Sequence, residues 1–103
     1  MPREQDISVV ARALAHPARV RIVLLLAKQR ECMGAEVFNE LPLAQSTISE
    51  HLRVLKDAGI VLSHATGTSM VYCLVPAVLE SFASQVAAVA ETASVCWSRG
   101  EGC

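Results

Sequence analysis

Glu36-Val-Phe-Asn-Glu-Leu-Pro-Leu-Ala-Gln-Ser-Thr-Ile-Ser-Glu-His-Leu-Arg-Val-Leu-Lys-Asp-Ala-Gly-Ile60 carries two helical patterns separated by a proline. Val37, Phe38 and Leu41 give residues 33–41 the inward face of a short helix, and Pro42 breaks the pattern. A second helix is expected from about Ala44 to Ala58, with Ile48, Leu52 and Leu55 as its buried stripe and Gly59 as its stop. Two helices joined by so tight a turn form a helix-turn-helix. The second begins with short polar groups, Gln45, Ser46, Thr47 and Ser49, which can reach base edges and phosphates from the positive end of a helix. His51, Arg53 and Lys56 follow as candidate phosphate holders. The expected partner of this element is double-stranded DNA.

Upstream, Ile7, Val10, Ala11 and Leu14 recur at helical spacing over residues 5–15. Pro17 opens a second helix, Ala18 to Gln29, which is apolar on most sides and reads as the central core helix. Downstream the period drops to two. Ile60–Ala65 and Ser69–Leu74 read as strands around Thr66-Gly67-Thr68, with Pro76 ending the hairpin. This wing would bring His64, Thr66, Thr68 and Ser69 near the flanking DNA backbone. A last helix spans about Ala77 to Ala93, with Phe82, Val86, Val89 and Ala93 spaced close to a coiled-coil seam. The fold class is mainly α with a small β-hairpin, a winged helix-turn-helix with dimerising helices at both ends. Residues 1–93 are read as the DNA-binding and dimerisation domain, and 94–103 as a flexible cysteine-bearing tail.

The 103 residues suffice for one modest core. They are 52% apolar but only 4% aromatic, so that core is aliphatic and more apolar surface remains than a small monomer can bury. A homodimer is therefore expected. A formal net charge of −1 excludes a globally basic nucleic-acid binder. Residues 1–56 nevertheless carry eight Lys/Arg against six Asp/Glu, and residues 57–103 one against four, so a polyanion should meet the first half. The longest apolar runs, such as Ile22 to Ala27, are too short to span a bilayer, and no signal peptide is visible. The chain is read as cytoplasmic, without a membrane partner, and its four cysteines as thiols rather than structural disulfides. No Cys-x-x-Cys and no sequence-adjacent Cys/His/acid set supports an enzyme.

Leu14-Ala-His-Pro-Ala-Arg-Val-Arg-Ile22, Leu43-Ala-Gln-Ser-Thr-Ile-Ser-Glu-His-Leu-Arg-Val-Leu-Lys-Asp-Ala-Gly-Ile-Val61 and Gly67-Thr-Ser-Met-Val-Tyr-Cys73 resemble the ArsR/SmtB family of winged helix-turn-helix repressors, nearest its arsenic-responsive members. The resemblance runs to about Ala90. It implies a homodimeric repressor that leaves operator DNA when a metal, metalloid or other signal binds, with the terminal helices at the dimer interface. Three departures stand out. The Cys-x-Cys box of arsenic sensors is replaced by Glu31-Cys-Met-Gly-Ala-Glu-Val37, with Cys32 alone. Residues 77–93 hold no Asp or His, so the zinc ligands of the last helix are absent. Glu50 puts an acid on the reading helix, where it would repel phosphate unless it reads cytosine or points aside.

Cys96 and Cys103 lie in a glycine-bearing tail that can fold both sulfurs onto one ion. Soft thiolates suit As(III), Sb(III), Cu(I), Cd(II) or Zn(II), and the resemblance favours arsenite. A trigonal site would take a third sulfur from Cys32, Cys73 or the partner chain. Cys32, at the entrance to the short helix, is a candidate ligand or redox group, whereas Cys73 reads as strand packing. The alternatives are a redox or persulfide switch on the same fold, for instance through Cys32 and Cys96, and a winged-helix regulator without a metal inducer. His16 reads as a cap or packing residue, and Trp97 as a tail residue docking on a helix.

Overall fold

The computed structural model describes residues 4–29 and 32–93, the first two of these by backbone alone. Helices α1 (Glu4–Leu14) and α2 (Pro17–Lys28) lead into a two-residue strand β1 (Met33–Gly34) and a 3-10 helix (Ala35–Glu40). Helix α3 (Gln45–Asp57), strands β2 (Val61–Thr66) and β3 (Ser69–Leu74), and helix α4 (Pro76–Glu91) complete the order. The chain is mainly helical with a small antiparallel sheet of strand order β1-β3-β2.

Each boundary has a local cause. His16 caps α2, its Nδ1 accepting from the Ala18 amide at 3.1 Å, and Pro17 fills the first helical position. Helix α3 ends where Gly59 adopts φ +79°. The Gly59 amide donates to Lys56 O and the Ile60 amide to Leu55 O, which satisfies carbonyls the helix leaves open. The wing turns through Gly67-Thr68, with Gly67 at φ +63° as a two-residue hairpin requires, and Thr66 pairs with Ser69.

The core lies where α1, α2, α3 and the base of the sheet meet. Ile22, Leu55 and Ile60 are fully buried, with Val10, Ala13, Val23, Leu26, Phe38, Leu41, Ile48, Leu52 and Val61 around them. Phe38 meets Tyr72 edge-on at 5.5 Å and joins the 3-10 helix to β3.

Several expectations need correction. The short helix over 33–41 is a strand of two residues followed by a 3-10 helix. A strand that short carries no alternation to read. Helix α2, apolar on most sides, turns only one of them to the core: Ile22, Val23 and Leu26 are buried and Leu25 packs against them, while Leu24 is 63% exposed and Val20 is exposed too. Pro76 opens α4 rather than merely ending the hairpin. Finally, Cys32 and Cys73 are not separate thiols but a disulfide. Cys73 is thus bonded rather than simply packed, since β1 carries Cys32 to it.

Candidate nucleic-acid interface

Helix α3 presents one wet face and one dry face. Ile48, His51, Leu52 and Leu55 turn inward at i, i+3, i+4 and i+7, and Gln45, Ser46, Thr47, Ser49, Glu50, Arg53 and Lys56 are left exposed. Its N-cap, Ala44, is extended (φ −64°, ψ 148°) and offers no side-chain cap. The amides of a first turn lack i−4 partners within the helix. The Thr47 amide is taken by Ala44 O at 3.0 Å; with no acid in that turn, those of Gln45 and Ser46 remain directed beyond the start of the helix. The exposed hydroxyls of Ser46, Thr47 and Ser49 stand beside them.

The basic residues divide. Lys56 is exposed in the last turn. Arg53 is exposed but engaged: its Nη2 and Nε donate to the Glu50 carboxylate, one turn back. The guanidinium holds the Glu50 carboxyl below its ordinary range, and Glu50 in turn raises Arg53. Glu50 thus points aside, onto Arg53.

His51 stands apart from the wet face. It is only 9% exposed, at the limit of burial, which turns its ring away from the surface that a phosphate could reach. Its Nδ1 lies 3.3 Å from Arg19 Nη1, and its ring lies 4.5 Å from that of His16, tilted by 52°. A guanidinium can only donate, so Nδ1 accepts and the imidazole proton sits on Nε2. Burial first, then the electrostatic influence of His16 and of the Arg19 guanidinium, push the His51 pKa down; neighbouring Glu50 opposes them. The accepting Nδ1 and the lowered pKa both favour the uncharged ring.

Arg19 was not among the residues singled out from sequence. It donates from Nε to Ala13 O at 2.6 Å and from Nη2 to Arg12 O at 3.4 Å, closing the C-terminal end of α1. One side chain therefore ties α1, α2 and α3 together. The signal lay in its position two residues after Pro17, a cation in the first turn of a mostly apolar helix.

On the wing, His64 is exposed on β2 opposite Val71, and Thr66, Thr68 and Ser69 are exposed at the tip. Cys96, Cys103 and Trp97 lie outside the described residues, as does the 94–103 tail. Cys32 is exposed at the base of the sheet, bonded to Cys73. Among the described residues no group of three or more His, Cys, Asp or Glu could hold a metal ion. No described helix is long and apolar enough to cross a membrane.

Residues 16–63 match the model of the family described as bacterial regulatory protein, arsR family. An HTH-type transcriptional regulator of Methanocaldococcus jannaschii, MJ1325, is 35% identical over 75 residues, which are 73% of this chain and 84% of that one. This chain belongs to the ArsR family. Its members are transcriptional regulators rather than enzymes. The HTH-type transcriptional repressor SmtB of Mycobacterium tuberculosis is 40% identical over 63 residues, 61% of this chain and 46% of its own length. The chain thus spans about half the length of the first curated relatives it matches. Among solved structures, the homodimeric winged helix-turn-helix DNA-binding domain Mb0332 of Mycobacterium bovis superposes with a TM-score of 0.66 at 29% identity, covering 84% of this chain and 80% of that one. As an ArsR-family chain, the protein pairs a helix-turn-helix (the 3-10 helix and α3) with a β2–β3 wing.

Proposed function

We propose that the chain is a homodimeric transcriptional repressor that reads operator DNA with α3 and steadies itself with the wing. The uncapped start of α3, surrounded by exposed Gln45, Ser46, Thr47 and Ser49, carries this reading. Lys56, His64 and Thr68 would meet the backbone, and Arg53 would do so in exchange for Glu50. His51 drops out as a phosphate ligand and becomes the residue that positions the helix.

A second copy is proposed to cover the α1–α4 face. Val9 on α1 is 45% exposed, and Val86 and Val89 on α4 are 44% and 58% exposed. Between the two helices lies a groove of about 690 Å³ lined in part by Val9, Val10, Val78 and Phe82. Gln85 Oε1 is buried there without a hydrogen-bond partner among the described residues. A partner's helix would cover the valines and could satisfy that oxygen. Residues 1–93 are thus proposed as the DNA-binding and dimerisation domain.

The releasing signal is proposed to be a thiophilic metalloid or metal, arsenite or antimonite first. Cys96 and Cys103 would bind it together with a third sulfur. Soft-ligand chemistry and the family resemblance support this. Cys32 can contribute only once its bond to Cys73 is reduced.

Fluorescence anisotropy on DNA from immediately upstream of the protein's own coding region tests the reading, with and without arsenite under reducing conditions. Tight binding that arsenite abolishes, and that survives arsenite in a Cys96→Ser/Cys103→Ser variant, is the expected result. Binding indifferent to arsenite removes the inducer and keeps the repressor. Absence of binding there and in a genomic selection overturns the reading. Val89→Glu should yield a monomer in sedimentation.

A further inference from the structure

The sheet brings together two sulfurs that lie 41 residues apart in sequence. Strand β1 runs antiparallel to β3, with Met33 opposite Tyr72 and Gly34 opposite Val71. One step further along the same ladder sets Cys32 opposite Cys73. Their Cα atoms are 4.4 Å apart and their sulfurs are bonded. That separation belongs to a non-hydrogen-bonded antiparallel pair, where facing side chains come closest. The juxtaposition is thus a product of strand register, independent of the tail cysteines.

The surroundings suit exchange with small thiols. Cys32 is exposed and Cys73 half-buried. Both border a cleft of about 240 Å³ that Leu26, Ala27, Gln29 and Leu74 also line. The bond also sits at a mechanical joint. Cys32 leads through β1 directly into the 3-10 helix, the first helix of the helix-turn-helix. Cys73 belongs to the wing, next to Tyr72, which packs on Phe38 of that helix.

We propose that Cys32 and Cys73 form a reversible thiol–disulfide couple, a modification site for low-molecular-weight thiols and their disulfides, that tunes DNA affinity by locking the wing to the helix-turn-helix. In oxidation, the Cys32 thiolate attacks a small disulfide. One small thiolate leaves, and a mixed disulfide remains on Cys32. The Cys73 thiolate then attacks Cys32 Sγ and expels the second small thiolate. Two protein thiols are oxidised, one small disulfide is reduced to two thiols, and the two thiol protons pass to solvent or to the departing thiolates. Reduction retraces these steps, the incoming thiolate arriving at exposed Cys32. In the dithiol form the joint is held by a two-residue ladder and the Phe38–Tyr72 contact. In the disulfide form it is preorganised, so the oxidised protein binds DNA more tightly. The effect on affinity rests on the DNA-binding reading above; formation of the bond does not.

The test equilibrates the full chain in a series of glutathione/glutathione disulfide buffers. Each sample is divided between acid-quenched alkylation with peptide mass analysis and anisotropy on the upstream DNA. Cys32 and Cys73 should lose alkylation together at one midpoint inside the series. The oxidised form should bind about fivefold or more tightly than the reduced form. Cys73→Ser should bind like the reduced form at every poise, and Cys96→Ser/Cys103→Ser should keep the response. Cys32 and Cys73 alkylated at every poise, never alkylated, or joined instead to tail cysteines would overturn the couple. Equal affinity of the two forms would overturn its effect on binding. Failure to bind DNA at any poise would overturn the function proposed above, while the alkylation result would still decide the couple.

Discussion

Arg19 Nη1 donates to His51 Nδ1 across 3.3 Å, and through that bond α3 is fixed to the helix before it. The same guanidinium closes the end of α1 on the Arg12 and Ala13 carbonyls. Arg19→Met keeps much of the stem but removes the donor to His51 Nδ1 and to Ala13 O, while Arg12 O keeps the Ala15 amide. Loss of a bond to a charged donor, with its partner left near burial, costs about 1–3 kcal/mol. Urea unfolding should show that loss, and DNA affinity should fall beyond what the lower folded fraction explains.

The same pair sets a pH dependence. His51 has a folded-state pKa below its unfolded value, which is about 6.5. Above that value both states leave it neutral, and its contribution is complete. As pH falls below about 6.5, the unfolded chain takes up a proton that the folded one resists, so stability declines until the lowered folded pKa is reached. Denaturant midpoints should therefore drop from pH 7.5 towards pH 5. His51→Gln should remove part of that drop; an unchanged profile in this variant would refute the assignment.

Glu50 restrains Arg53. Glu50→Gln removes the carboxylate charge and leaves Arg53 available to phosphate. On the proposed function, DNA binding should tighten, and the slope of log affinity against log salt should steepen by about 1. Arg53→Ala should weaken binding, since it removes that cation and leaves the exposed Glu50 carboxylate unpaired beside the phosphates.

The disulfide closes a loop across a separation of 41 residues. By chain-entropy reasoning such a link contributes about 2–4 kcal/mol. Cys32→Ser/Cys73→Ser should lower the thermal midpoint by roughly 10 °C in a domain of this size. The same decrease should follow when the native chain is reduced.

The helices were legible because their apolar residues keep step with 3.6 over three or more turns. The Ile48, Leu52, Leu55 stripe fixed the phase of α3 from sequence alone. That phase also puts residue 51 inside, three after Ile48 and four before Leu55. Reading His51 by its chemistry as a phosphate ligand overrode the signal that located it. β1 was not legible: two residues have no period, and their pairing depends on where β3 arrives. The Cys32–Cys73 bond follows from that register and shares its invisibility. The Glu50–Arg53 pair could have been read, since residues three apart on a helix are neighbours.

Among the described residues β1 pairs with β3 only at Val71 and Tyr72, with the Cys32–Cys73 bond one step further; toward Ser69, β3 is held by β2. The wing is therefore a cantilever, clamped at its root and free at its tip. A two-stranded ribbon is far more compliant than a three-stranded sheet. On the proposed function, a load at Thr66–Ser69 would be taken up by bending of the outer ribbon before it reached α3, and the tip would adjust to a groove of varying width without moving the reading helix.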